Sequence, residues 1–250
     1  MYLLINYLNL EAGNTYLHLA AEHGQTEMFE NIFNEEIDKD PRNRFGRTPF
    51  QIACEKGHAR IAEFIIKSSI ENNIKFNIDL NPKDQYGCST GFHYACRLGH
   101  LKIVELLIKN SVECNIDLNA KDNYGFTGFH YACIFGEVKI VELVIENSVE
   151  CHIDLNAKKN HGFTGFHYAC TNCHVKVVEL LIKNSVKLNI DLNAKDNHGK
   201  TGYHYACSCS RYSSSHGQVK KLILDHSDQF NIDLPWKDRL SLFLLKWLSY

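Results

Sequence analysis

One segment recurs along this chain at a fixed interval, and that interval decides what the chain can fold into. Thr90 to Cys96 reads Thr-Gly-Phe-His-Tyr-Ala-Cys; it returns at Thr127 to Cys133, at Thr164 to Cys170 and, with tyrosine for phenylalanine, at Thr201 to Cys207. His93, His130, His167 and His204 are thus spaced 37 residues apart. Two less regular copies precede them, Thr15 to Ala21 and Thr48 to Cys54, which makes six in all. Self-similarity at such a period marks a stacked array, because one short unit cannot bury its apolar face alone.

Each copy reads as a pair of helices. The threonine is a good N-cap, accepting a hydrogen bond from an amide in the first helical turn. In the third copy the first helix is expected to run to about Leu98 and to stop at Gly99, a residue suited to a left-handed helix end. A second helix, roughly Leu101 to Ser111, carries Ile103, Val104, Leu106, Leu107 and Ile108 inward and Lys102, Glu105 and Lys109 outward. Asn-Tyr-Gly or Asn-His-Gly at 123–125, 160–162 and 197–199 then marks a tight turn.

These residues resemble the ankyrin repeat, on the strength of Thr15/His18, Thr48/Pro49, Gly57-His58, Gly99-His100 and the run Asn119 to Asp122. The resemblance spans about residues 13 to 238 and implies an all-α ankyrin-repeat solenoid of helix-turn-helix units with β-turn loops. Repeats are expected at about 13–45, 46–86, 87–124, 125–161, 162–198 and 199–238. Residues 1–12 are expected to form an N-terminal cap or degenerate half repeat, and 239–250 a C-terminal capping helix with Leu240, Phe243, Leu244, Trp247 and Leu248 on one face. Two departures from the family stand out. Glycine at 91, 128, 165 and 202 replaces the usual proline, which should loosen the first helical turn. The period also exceeds the family's roughly 33 residues, with the extra length near Val112 to Ile116, where a longer second helix or a wider loop is expected.

The cysteines and histidines invite chemistry that the repeat phase explains otherwise. Cys170, Cys173 and His174 spell a Cys-x-x-Cys-His haem-attachment string. Yet Cys170 is the repeat cysteine seen at 54, 96, 133 and 207, and His174 takes the slot of His58 and His100. Cys207, Cys209 and His216 bracket an irregular serine-rich insert, Ser208 to His216, and fall short of the four ligands of a structural zinc. The histidines beside the capping threonines recur too regularly for catalysis; the resemblance implies that they bond within the turn and to the next repeat. No nucleophile motif and no phosphate-binding loop is present. The sequence therefore predicts no enzyme, no cofactor and no metal.

With 27 basic and 29 acidic residues the net charge is -2, without the basic excess of a nucleic-acid binder. No apolar run approaches the roughly 20 residues of a membrane span, and Met1 to Leu10 lacks the basic start and cleavage site of a signal peptide. These readings point to a monomer in the cytoplasm or nucleus with reduced thiols, with no membrane insertion and no small-molecule substrate.

What remains is a protein-interaction scaffold or adaptor. The resemblance implies that a protein partner lies along the concave face, against the turn tips and late first-helix positions. Carried onto this chain, those include Tyr86, Leu98, Tyr124, Phe126, Ile134, Phe135, His161, Phe163 and His198. They vary from copy to copy, whereas the capping threonine and Ala95, Ala132 and Ala169 do not. The fourth copy is the apolar one, with Tyr124, Phe126, Ile134 and Phe135 joined by Phe163; in the alternative arrangement Phe126 and Phe163 pack between turns. Membrane-cytoskeleton anchoring is the rival adaptor role, and a thiol- or metal-dependent protein the rival class.

Overall fold

The computed structural model describes residues 12–71, 78–85, 89–208, 214–235 and 238–239. Among them lie twelve helices and no strand, in six pairs. They are α1 (Tyr16–His23) and α2 (Thr26–Glu35), α3 (Pro49–Lys56) and α4 (Ala59–Glu71), and α5 (Gly91–Arg97) and α6 (Leu101–Lys109). Then come α7 (Gly128–Phe135) and α8 (Val138–Asn147), α9 (Gly165–Thr171) and α10 (Val175–Leu188), and α11 (Gly202–Ser208) and α12 (Ser214–His226). Residues 1–11 and 240–250 of the expected terminal caps, and the middle of the Ser208 to His216 insert with Cys209, fall outside the described residues.

The chain forms two compact units, Met1–Tyr131 with Glu146–Ile153, and Ala132–Ile145 with Asp154–Tyr250. In the first unit, α1 packs on α3 and α3 on α5, while α2 packs on α4 and α4 on α6. First helices thus stack on first helices and second on second. The second unit repeats this, with α9 on α11 and α10 on α12. The inward residues of α6 are the expected ones: Ile103, Val104, Leu107 and Ile108 are buried, with Leu106 at the margin. Each large apolar side chain buried in this way stabilises the fold by roughly 1.5–3 kcal/mol. Phe29, Phe33 and Phe64 add a ring cluster with centroids 5.2 to 6.1 Å apart.

The glycines that replace proline have a cause in the neighbouring repeat. A β-carbon on Gly91 would lie 2.9 Å from Sγ of Cys54 and 3.2 Å from the Phe50 ring. Gly128 meets Phe92 and Cys96 in the same way, and Gly202 meets Phe166 and Cys170. Proline survives only at Pro49, whose preceding repeat carries the smaller Leu17 and Ala21 at the equivalent positions. The first turn is therefore not loosened: these helices start at the glycines themselves, held by close packing.

The longer period is accommodated in both ways that the sequence left open. In the fifth repeat α10 extends to Leu188, with Asn189 left-handed at φ 52°. In the third repeat α6 ends at Lys109, and hydrogen-bonded turns continue to Asn115 at φ 50°. Asparagine tolerates this conformation better than most residues. A loop asparagine then stitches each added segment to its neighbour. The Asn81 amide donates to the carbonyl of Asn115 at 2.8 Å, and its oxygen accepts from the Asp117 N–H at 2.7 Å. Asn156 does the same with Asn189 and Asp191, and Asn193 with Asn231 and Asp233.

Candidate partner-binding surface

The variable positions hang from a rigid frame that begins at the capping threonine. Nδ1 of His18 accepts from the Thr15 N–H at 3.1 Å, and Nε2 donates to the carbonyl of Arg47 in the next repeat at 2.9 Å. Because Nδ1 accepts, the proton sits on Nε2. His93 bridges Thr90 to Phe126, and His167 bridges Thr164 to Lys200, in the same manner. Burial pulls the basicity of His18, His93 and His167 below the ordinary imidazole value, which keeps them neutral. In the second repeat Gln51 substitutes, its oxygen accepting from the Thr48 N–H and its amide donating to the Pro82 and Ser89 carbonyls. Glutamine has the donor and acceptor of a neutral histidine, so the exchange is chemically reasonable. These histidines are structural, as their even spacing implies.

The inter-helix histidines form a second set of stitches. His100 Nε2 donates to the carbonyl of Glu55 at 2.8 Å, and His174 Nε2 to that of Ile134 at 2.8 Å. The Cys-x-x-Cys-His string is thereby absorbed into the frame. Cys170 is fully buried, Cys173 nearly so, and His174 is committed to a backbone carbonyl. Burial also raises the thiols of Cys54, Cys133 and Cys170 above their usual range, which disfavours the reactive thiolate. Among the described residues no cluster of three or more histidines, cysteines and carboxylates is arranged to hold a metal ion.

A buried aspartate stands in three of the turns, at 84, 122 and 196. Asp122 Oδ1 accepts from the Tyr124 and Phe126 N–H groups at 2.8 and 2.9 Å, while Oδ2 accepts from the Tyr131 hydroxyl at 2.6 Å. Asp196 does likewise for His198, Lys200 and Tyr205, and Asp84 takes the Tyr94 hydroxyl at 2.5 Å. The sequence reading did not single out this tyrosine–aspartate bond. Its signal is there, since the tyrosine recurs at 94, 131, 168 and 205.

On this frame the candidate residues differ in what they offer a partner. In the first unit Tyr124 is 63% exposed at its turn tip and Leu98 45% exposed just beyond α5. Phe126 is half-buried, stacked on Tyr131 with centroids 5.3 Å apart. In the second unit Phe135 is 51% exposed at the end of α7. The residue before it, Ile134, is half-buried, and its carbonyl is pinned by Asn172 as well as by His174. His161 and His198 are exposed on turns joined by the Asn197 N–H, which donates to the His161 carbonyl at 3.1 Å. Phe163 is half-buried among His167, Tyr168 and Tyr205, at 5.0 to 5.4 Å. Tyr86 lies outside the described residues.

Helix pairs stitched by side chains, with variable residues presented at turn tips and first-helix ends, define a repeat-built all-α solenoid class. A family model for ankyrin repeats (three copies) matches residues 2–76 and 70–158, and one for ankyrin repeats (many copies) matches 149–206. The chain belongs to the ankyrin-repeat family. Repeats of this family are generally protein–protein interaction modules and typically non-catalytic. A search of curated proteins finds no match to this chain. No described helix is long and apolar enough to cross a membrane.

Proposed function

We propose that this chain is a protein-interaction scaffold or adaptor that binds a protein partner through its turn tips and first-helix ends, without catalysing a reaction. The observation that carries this reading is the contrast between frame and surface. Threonine at 48, 90, 127, 164 and 201, the histidine or glutamine at 18, 51, 93, 130 and 167, and the repeat alanine are buried and recurrent. Leu98, Tyr124 and Phe135 stand exposed at positions that change from copy to copy. Large exposed side chains on rigid supports are what binding hot spots are made of, because little entropy is lost when they dock. Phe126 and Phe163 serve chiefly to brace the turns beside them.

The test is affinity capture from source cells with the wild type, with Phe135→Asp and with Val186→Asp. Val186 is 75% exposed in α10, a second helix, and serves as a surface control. Proteins retained by wild type and Val186→Asp but lost by Phe135→Asp support the reading. If no protein is enriched by any of the three, the interaction role fails.

A further inference from the structure

Each repeat binds the main chain of the turn that follows it. His18, Gln51, His93 and His167 donate to the carbonyl of the residue before the next capping threonine, at Arg47, Ser89, Phe126 and Lys200. A lysine reaches the start of the same turn: Lys83 Nζ donates to the Lys121 carbonyl at 3.1 Å and Lys158 Nζ to the Lys195 carbonyl at 3.4 Å. The lysine and the histidine thus hold two carbonyls five residues apart, Lys121 with Phe126 and Lys195 with Lys200. The turn glycines are covered as well. A β-carbon on Gly46 would meet Gln85 at 2.9 Å, and one on Gly162 would meet Asn197 at 2.8 Å.

The sixth repeat presents the same groups with nothing against them among the described residues. His204 keeps its bond from the Thr201 N–H at 3.2 Å, yet it is exposed where His18, His130 and His167 are fully buried, and Nε2 has no acceptor. The Lys195 ammonium has none either. A β-carbon on Gly199 would meet nothing within 4 Å. Lys195, Gly199, Thr201 and His204 line a cavity of about 470 Å³, together with the Asp233–Arg239 ion pair. Its cause is a change of path. Asn193 still stitches to Asn231 and Asp233, but five residues on, at the register of the turn aspartate, the Asp238 N–H donates to the Pro235 carbonyl at 3.0 Å. The chain there enters a helical turn, and the turn that would fill the cavity is not made.

We propose that this cavity receives a turn of the protein partner, recognised through its main chain. The Lys195 ammonium takes one carbonyl, and Nε2–H of His204 takes a second, five residues further on. The class that fits is a turn led by aspartate or asparagine and closed by glycine, as at Asn43 to Gly46 and Asp122 to Gly125. The inference rests on the interaction role proposed above and continues the contact that already joins repeat to repeat. Other occupants fit less well. A second copy cannot seat its first repeat there, because Tyr16 holds the position of Gly91, Gly128 and Gly202, where a single β-carbon already collides. Residues 240–250 contain no glycine, asparagine or aspartate from which to fold such a turn.

The probe is a cyclised peptide carrying the Ala120 to Thr127 turn sequence, titrated into the full isotope-labelled chain and followed by amide shifts. Shifts should concentrate at Lys195, Gly199, Thr201 and His204, and a cyclised peptide of scrambled order should leave these residues unmoved. Affinity should fall about tenfold on Lys195→Met and on His204→Leu. It should survive on His204→Gln, since Gln51 makes the same two contacts in the second repeat. Absence of shifts at these residues, equal shifts with the scrambled peptide, or full affinity on Lys195→Met overturns the inference. So do contacts from residues 240–250 to His204 in the free chain, which would assign the cavity to this chain, or a dimer that Lys195→Met dissolves, which would assign it to a second copy. Capture of a partner that Phe135→Asp loses would leave the interaction role standing even then.

Discussion

A β-carbon on Gly202 would stand 2.6 Å from Cδ1 of Phe166 in the preceding repeat, closer than two carbons can approach. The repeat period is thus enforced by a steric lock that links the first residue of one helix to the phenylalanine and cysteine of its neighbour. Where those neighbours are Leu17 and Ala21 the position holds Pro49, and where they are phenylalanine and cysteine it holds glycine.

This coupling makes a non-additive prediction. Gly91→Pro alone should destabilise the fold by about 1–3 kcal/mol through overpacking against Phe50 and Cys54. Combined with Phe50→Leu and Cys54→Ala, it should cost less than the sum of the separate changes. Urea unfolding of the single, double and triple variants measures the coupling. Strict additivity would show that the proline is excluded for some other reason.

Cys173 occupies a left-handed position, φ 59°, where Gly24, Gly57, Gly99 and Gly136 stand in other repeats. A non-glycine residue there is strained, so Cys173→Gly should raise stability by up to about 1 kcal/mol. An upward shift in the urea midpoint at unchanged slope is the expected reading.

The buried histidines predict a pH dependence of definite sign. His18, His93 and His167 have folded pKa values below their unfolded value of 6.5, so between the two the unfolded chain binds more protons. Their contribution is complete above pH 6.5 and is lost as pH falls below it, by at most about 1.4 kcal/mol per histidine per pH unit. Gln51 shows the cure. The triple variant His18→Gln, His93→Gln, His167→Gln should fold and lose much of its stability difference between neutral and mildly acidic buffer.

The thiols divide by burial. Cys54, Cys96, Cys133 and Cys170 are buried, whereas Cys114, Cys151 and Cys207 are partly accessible. Site-resolved alkylation under native conditions should label the second group and spare the first until the chain is unfolded. Rapid native labelling at Cys170 would revive a redox role.

Much of the fold was legible because the frame repeats. The Thr and His of five of the six caps, the left-handed Gly99 and the inward stripe Ile103, Val104, Leu107 and Ile108 follow from local chemistry repeated in phase. The meaning of glycine for proline was not legible in that way, since the obstruction comes from Phe92 or Phe166 one repeat away. The surface was legible only in outline. Position in the repeat identified Tyr124 and Phe135, which are exposed, together with Phe126 and Phe163, whose rings turn onto Tyr131, Tyr168 and Tyr205. Ring stacking depends on where the helix tyrosines stand, which spacing alone does not give.

The most direct test of the interaction role is the affinity of a captured partner for point variants, measured by calorimetry. Phe135→Asp and Tyr124→Asp should each weaken binding by about 2 kcal/mol, close to thirtyfold, while Val186→Asp leaves it unchanged. Full affinity in Phe135→Asp and Tyr124→Asp, with loss in Val186→Asp, would place the partner on the second helices and contradict the account.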